Sequence, residues 1–340
     1  MIPDTLLLTG AEVRAWLPAQ DCIAAVEAAF RRHAAGGSPP AAVLGVPVEG
    51  GGFHVKAAAL RLERYYFAAK LNGNFPANPA RAGLPTIQGV VALCDAENGR
   101  LLALLDSIEI TRLRTGAATA VAAKYLARPD SAVLSLFGCG RQARAQTECL
   151  ATVLPLTRVY ASDINPLAAQ GFARWARDTQ GLETTVLEPG AALRQARSSD
   201  VIVTCTPARE YFLTRREVAP GAFVAGVGAD AADKQELEPA LLAESTLVTD
   251  VLEQCAMIGD LHHAIAAGLL DRAAVHAELA EVVAGTKPGR RRAEEVTVFD
   301  STGTALEDVA AAALTYQRAL ARGRCRTVRF ATSGAELEQP

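Results

Sequence analysis

The sequence predicts an α/β protein: a doubly wound parallel sheet, preceded by an α+β domain that the chain end rejoins. Three observations predict it. From Ser131 onward, short apolar runs alternate with helix-patterned segments, as parallel βαβ units do. Before Asp106, strand-like runs succeed one another with only turns between them. The apolar run Ser131 to Phe137 ends in Gly138-Cys139-Gly140 directly before a helical segment, the layout of a strand feeding a phosphate-binding turn.

Size and charge limit the possibilities. A chain of 340 residues has room for two domains. Its 34 basic and 37 acidic side chains nearly balance, so no global field points to nucleic acid or a membrane surface as a partner. No window holds the ~18 uninterrupted apolar residues of a membrane span. The first ten residues lack the basic flank of a signal peptide. Seven cysteines, without a Cys-x-x-Cys pair, sit mostly inside apolar runs. That usage suits buried thiols in a reducing compartment, so a soluble cytoplasmic protein is expected.

Taken in order, Thr9 and Glu12 have capping-box spacing for a short helix that Pro18 stops. Asp21 is expected to cap a second helix with the stripe Ile23, Val26, Phe30, closed by Gly36-Gly37. Residues 38–56 read as two strands joined at 49–52, the second carrying Phe53-His54-Val55-Lys56. Tyr65 to Leu71 is a strand containing Lys70; a polar loop (72–86) leads to the strand Gln88 to Cys94. Asn98-Gly99 turns into the strand Arg100 to Leu105. Glu109 to Leu126 reads as one alanine-rich helix. Sheet strands are expected at 131–138, 158–163, 184–188, 200–206, 222–228, 246–251 and 295–300. A helix then runs from Ala305 to about Arg322, before a strand from Thr327 to Ala331. The domains are therefore 1–118 with 306–340, and 119–305. Arg290-Arg291-Arg292 reads as a solvated loop. His262 and His263 are adjacent and cannot face one way on a helix, so no metal site is expected.

The glycine turn gains meaning from its downstream neighbours. The next sheet strand ends in Asp163, 23 positions after Gly140, close to where a Rossmann unit places its ribose-binding carboxylate. Gly138 permits the turn, Gly140 lets a pyrophosphate approach, and Ala143 allows close packing of helix on sheet. After Asp163 come Ile164, Asn165 and Pro166, with no Arg or Lys to take a 2′-phosphate, so NAD(H) is favoured over NADP(H). The strand ends carrying Thr204 and Thr206, and Thr302 and Gly303, open toward the cofactor crevice of such a sheet.

These pieces together resemble the ornithine cyclodeaminase/μ-crystallin family. The resemblance runs from about residue 35 to residue 315 and rests on several short motifs in family order. They are Lys70-Leu71-Asn72-Gly73-Asn74, Gly83-Leu84-Pro85-Thr86, and Ile110-Thr111-Arg112-Leu113-Arg114-Thr115. With them stand Gly138 to Ala143 (Arg141 and Gln142 included), Gly228-Ala229-Asp230 with Lys234-Gln235-Glu236-Leu237, and Phe299-Asp300-Ser301-Thr302-Gly303. It implies a Rossmann domain beside a substrate-binding and dimerisation domain, and a homodimer joined through the latter. The implied chemistry is an NAD(P)-dependent oxidoreductase reaction at the C–N bond of a small amino or imino acid.

Carried over motif by motif, Lys70 is the expected active-site lysine and Arg114 the arginine for the substrate carboxylate. Asp230, not Asp233, matches the catalytic aspartate. Thr86 and Thr115 match residues near substrate or cofactor phosphates, and Thr302 and Gly303 the segment against the nicotinamide. The chemistry agrees. Arg offers a bidentate fork to a carboxylate. A lysine inside the apolar strand Tyr66 to Leu71 is costly to bury without an anionic partner. An amine-to-imine step needs a group to exchange a proton with nitrogen. Arg112 and Arg114 lie about 200° apart on a helix and cannot share one anion.

Two departures bear on substrate. Cyclodeaminases of this family usually carry Pro-Pro-Arg before the first strand; here Pro39-Pro40 precedes Ala41. The next strand usually has an acid before Met-Pro; here it reads His54-Val55-Lys56-Ala57. His54 and Lys56 share one strand face and would favour an anion over the δ-ammonium of ornithine. The expectation is therefore an imino acid reductase of the Δ1-pyrroline-2-carboxylate type. The alternatives are a redox-neutral ornithine cyclodeaminase, an alanine-type dehydrogenase, and a non-catalytic ligand-binding relative.

Overall fold

The computed structural model describes residues 4–323 and 325–329. The chain begins with β1 (Thr5–Leu8), α1 (Gly10–Trp16), α2 (Ala19–Ala34), β2 (Ala42–Val48), β3 (Gly51–Arg61) and β4 (Tyr65–Asn74). Then come α3 (Asn78–Ala82), β5 (Ile87–Asp95), β6 (Leu101–Asp106) and the long α4 (Ser107–Leu126). Strands and helices next alternate: β7 (Val133–Phe137), α5 (Arg141–Val153), β8 (Arg158–Ser162), α6 (Pro166–Gln180), β9 (Glu183–Val186), α7 (Pro189–Ala196) and β10 (Val201–Thr204). After them lie β11 (Phe223–Gly226), α8 (Pro239–Ala243), β12 (Thr246–Thr249), α9 (Leu252–Ile258), α10 (Asp260–Ala266), β13 (Ala277–Glu278), α11 (Leu279–Ala284) and β14 (Thr297–Asp300). The last two elements are α12 (Ala305–Arg322) and β15 (Arg326–Val328).

Two compact units result. One joins the segment ending at Arg114 to the segment beginning at Thr304; the other is Thr115–Gly303. The sequence pattern alone puts these joints at 118/119 and 305/306. The first joint lies inside the continuous helix α4, and nothing in a helix's own pattern marks where its packing partner changes.

The first unit has a seven-stranded sheet in the order β15-β1-β6-β5-β4-β3-β2. Its core is the expected antiparallel meander, but β1 is an addition to it: β1 joins β6 in parallel, and β15 pairs antiparallel with β1. Residues 330 and 331 of the expected last strand lie outside the described residues. Helices α2 and α12 pack over one face of the sheet. That face carries the alternate residues Leu60, Ala58 and Lys56 of β3, opposite Tyr66, Ala68 and Lys70 of β4. All but Lys56 are buried. The capping box of α1 forms as the spacing predicts. Asp21, however, does not cap α2: Pro18 stands at the N-cap and Asp21 turns to Arg318 of α12. Proline at the helix entry needs no donor, which frees the aspartate for a distant partner.

The second unit has an eight-stranded sheet, order β13-β12-β14-β11-β10-β7-β8-β9, with every named pair parallel. Strand order reverses between β7 and β10, the switch point whose carboxyl ends hold ligands in doubly wound sheets. Arg290 corrects the solvated-loop reading. Its guanidinium turns inward and donates to the carbonyls of Leu126, Ala222 and Glu295 and to Thr297 Oγ1. A planar five-donor fork can satisfy several orphan carbonyls at once, which is invisible in a run of three arginines. Among the described residues, no helix is long and apolar enough to cross a membrane.

Candidate active site

In the first unit the sequence places a lysine and an arginine where burial demands anions, and α12 supplies two. Thr304 caps α12, and Glu307 closes the box by accepting from Thr304 N. Glu307 Oε2 also accepts from Arg114 Nη1 at 2.7 Å. Asp308, next in the same first turn, accepts from Lys70 Nζ through Oδ1 (3.0 Å), with Oδ2 2.8 Å from the same ammonium. Arg114 Nε lies 3.1 Å from Asp308 Oδ1. All four are buried, at 0–4% exposure. The unpaired N–H groups of a helix N-terminus favour both carboxylates at that place. Arg112 points elsewhere and pairs with Glu109 at 3.0 Å, as the 200° separation requires.

Burial and the neighbouring Arg114 guanidinium push the Lys70 ammonium down to about 8, against the opposing pull of Asp308; Lys56 adds to the depression. Burial acts to raise the Asp308 carboxyl, but Lys70 and Arg114 outweigh it and hold it below the ordinary aspartate value, with Lys56 assisting. Lys56 stands directly opposite Lys70 in register. His54 is next on the same face, exposed, opposite Asn72 and Gly45. Thr86 is half-buried and lies next in sequence to Ile87, which pairs with Asn74. Its carbonyl accepts from Phe75 N, which puts it roughly 15 Å along the strand from Lys70 at ~3.3 Å per residue. It is not part of the Lys70 cluster.

In the second unit, β7 delivers Gly138 at φ 90, which an L side chain rarely adopts. A Cβ there would meet the Cys205 carbonyl at 2.7 Å, because the turns after β7 and β10 touch. Gly140, the N-cap of α5, has open space where its Cβ would be, so the start of the helix is accessible to an anion. Arg141 and Gln142 form the first turn of α5, and Ala143 is fully buried beneath them. Asp163 directly follows β8 and accepts from Cys139 N (2.7 Å) and Asn165 N (2.8 Å), tying the glycine turn to the next one. Asn165, not Asp163, caps α6. Each Asp163 oxygen retains acceptor capacity for a sugar hydroxyl. A dinucleotide fits this set: a bare helix N-terminus, a close-approach glycine and a carboxylate at the next strand end.

The remaining predicted residues have partners that the sequence did not disclose. Thr204 Oγ1 and Thr206 Oγ1 both donate to Glu236, at 2.8 and 2.7 Å. Glu236 also accepts from Thr206 N and Gly228 N, pinning the ends of β10 and β11. Burial pushes its carboxyl up, against those hydrogen bonds. Thr302 Oγ1 and Gly303 N donate to Asp250, and Gln254 donates to both residues. Thr115 is buried in α4, its carbonyl accepting from Thr119 Oγ1. Asp230 is exposed and pairs with Lys234 at 2.6 Å. Its loop is fixed by Glu236 at Gly228, by His263 at the Lys234 carbonyl, and by Asp260 at Glu236 N.

The structure thus brings Lys70, Arg114 and Lys56 together, and separately Gly138, Gly140, Asp163 and Thr206. The residues missed are acids: Glu307 and Asp308 in one unit, Glu236, Asp250, Asp260 and Asp300 in the other. One signal was present, since Thr304 and Glu307 have capping-box spacing. Among the described residues, no group of three or more His, Cys, Asp or Glu is arranged to hold a metal ion.

Known proteins resemble the chain over nearly its whole length. A solved archaeal alanine dehydrogenase dimer with bound NAD superposes at a TM-score of 0.89, with 38% identity, over 96% of this chain and all of that one. The Δ1-pyrroline-2-carboxylate reductase of Thermococcus litoralis, solved with NADH and L-proline, gives a TM-score of 0.90 at 33% identity, over 95% of this chain and all of that one. The iminosuccinate reductase of Paracoccus denitrificans is 36% identical over 278 residues, 82% of each chain. The model of the ornithine cyclodeaminase/mu-crystallin family matches residues 4–323, beyond the 35–315 that the motifs span, and the chain belongs to that family.

Proposed function

We propose that this protein is a nicotinamide-dependent reductase of small α-imino acids, using NAD(H) in preference to NADP(H). The observation that carries the reading is the buried pairing of Lys70 and Arg114 with Asp308 and Glu307. It fixes two cations in one place, as recognition of an α-carboxylate requires. Relatives that act on C–N bonds with NAD or NADH support it. When bound, the dinucleotide supplies a hydride with its two electrons to the imine carbon. Gly138, Gly140, Arg141, Gln142 and Asp163 would hold it; Asp163, with Ile164-Asn165-Pro166 after it, favours a free 2′-hydroxyl.

Lys70 and Arg114 orient the carboxylate, and Asp230 delivers the proton to nitrogen, completing the amine. Thr302 and Gly303, held by Asp250, shape the nicotinamide end of the site. Thr115 and Thr86 belong to the surroundings of cofactor and substrate in this reading. The first unit would serve substrate binding and dimerisation: the strand β2 is exposed along its whole length, and Phe53 and Leu71 of neighbouring strands are exposed as well. Seven free thiols suit the cytoplasm.

The test is turnover by the purified chain. NADH consumption is expected with Δ1-pyrroline-2-carboxylate or with a 2-keto acid plus ammonium. Proline and ammonia formed from ornithine without net NADH change would replace this reading with cyclodeamination.

A further inference from the structure

We propose that Glu236 is a positioning residue for proton transfer: its side chain fixes the Asp230 loop relative to the glycine turn. The geometry lies wholly within the second unit. Its kinetic meaning rests on the reductase reading, in which Asp230 delivers the proton to nitrogen. Glu236 is fully buried. Its Oε1 accepts from Thr206 N at 2.6 Å and Thr206 Oγ1 at 2.7 Å. Its Oε2 accepts from Gly228 N at 2.7 Å and Thr204 Oγ1 at 2.8 Å. A carboxylate offers about four acceptor sites, so all of them are in use.

Two segments meet at this group. The bond to Gly228 closes the loop 228–236 on itself, the side chain at its end reaching back to the amide at its start. Asp230 stands just inside that closure, its own amide donating to the Gly228 carbonyl at 3.0 Å. Ala229, Gln235 and Glu236 are buried, whereas Asp230, Ala232 and Asp233 are exposed. The loop is therefore anchored at its ends and presents its carboxylate outward. The bonds to Thr206 run the other way. A Cβ on Gly138 would meet the Cys205 carbonyl at 2.7 Å and Thr206 Cγ2 at 3.0 Å, so this strand end touches the glycine turn. One carboxylate thus ties the loop that carries the proton to the turn that would hold the dinucleotide. The separation of proton source and hydride source is set there.

Glu236 is itself restrained. Its amide donates to Asp260 Oδ1 at 2.8 Å, and its carbonyl accepts from Phe212 N and Leu213 N. Asp260 heads α10, where its amide and that of Leu261 donate to Asp300. A side chain locked by such partners can hold a neighbour in place. The bracket also has no slack. Each oxygen serves one backbone N–H, which cannot turn into an acceptor. Glutamine would therefore set its NH2 against Thr206 N in one orientation and against Gly228 N in the other. A Cβ on Gly228 would meet the Thr206 carbonyl at 2.2 Å and the Glu236 carboxyl at 2.6 Å.

The test measures NADH oxidation with Δ1-pyrroline-2-carboxylate in Glu236→Gln, Asp230→Asn and the double variant, beside NADH affinity by calorimetry. Misplacing the loop by about 1 Å should lower kcat about a hundredfold, with NADH affinity changed by less than about threefold. In the Asp230→Asn background, Glu236→Gln should cost less than about threefold more, because its effect runs through Asp230. Gly228→Ala removes no polar group and should show the same pattern; it decides the matter if Glu236→Gln does not fold. Unchanged kcat in Glu236→Gln, losses that multiply in the double variant, or NADH affinity falling as far as kcat overturns the proposal. A wild-type chain that oxidises no NADH with any imino acid removes the reductase reading instead, and amide hydrogen exchange then decides. Faster exchange in Glu236→Gln confined to residues 229–235 supports the anchor. Unchanged exchange, or a rise spread over β10 and β11, overturns it.

Discussion

Both units bury carboxylates, and they neutralise them in opposite ways. In the first unit each acid faces a cation: Asp308 faces Lys70 and Arg114, and Glu307 faces Arg114. In the second unit acids face one another. Asp260 and Asp300 lie near Glu236 and Asp250, and backbone amides do most of the holding. Burial, with Asp300 and Glu236 nearby, pushes Asp260 well above the ordinary aspartate value; burial and Asp250 push Asp300 up to about 7. Opposite charges keep a cluster ionised. Like charges keep a cluster partly protonated, which suits a scaffold. Glycines make the second arrangement possible, since a Cβ at Gly226, Gly228 or Gly259 would meet an oxygen of Asp260, Glu236 or Asp300 at 3.0, 2.6 and 2.6 Å.

The comparison breaks first at Asp308. Asp308→Asn removes the shared anion from two buried cations and should destabilise the protein by about 3–5 kcal/mol. The loss is read as a fall in the urea midpoint, together with loss of substrate saturation. A smaller effect should appear in the pH profile. If the Lys70 ammonium helps hold the carboxylate, kcat/KM should fall as pH rises through about 8, roughly tenfold per unit above it. Lys70→Arg should remove that limb; a limb that persists in the variant would belong to another group. The smallest effect concerns the acid cluster. Asp260 and Asp300 have folded values raised above their unfolded ones, so the folded state binds more protons than the unfolded state. Stability should therefore decline as pH rises from about 4 towards 7. Asp260→Asn should flatten that slope in denaturant titrations at several pH values, with little change near pH 4.

Much of this architecture was legible locally. The glycine turn, the strand spacing of the second unit and the capping boxes are written in stretches of a few residues, where backbone sterics and hydrogen bonding decide. The resemblance to the family rested on such stretches. What escaped was long-range. Lys70 announced its need for an anion, but not that the anion stands at position 308. Thr204 and Thr206 looked like cofactor contacts because strand ends open to the crevice. Their hydroxyls instead go to Glu236, some 30 residues on. Arg290 satisfies carbonyls from three separate segments, which no charge pattern encodes. β1 was missed because a four-residue strand has too short a period to read.

The helix α12 has a consequence for how the chain is made. Lys70 waits 238 residues for its carboxylate, and Arg114 waits 193 for its own. During synthesis the first unit therefore emerges with its cations uncompensated, while Thr115–Gly303 emerges unbroken and with its acids' amide donors already in hand. The first unit cannot become electrically whole until α12 leaves the ribosome. Closure of that unit and completion of its buried ion-pair cluster are the same event.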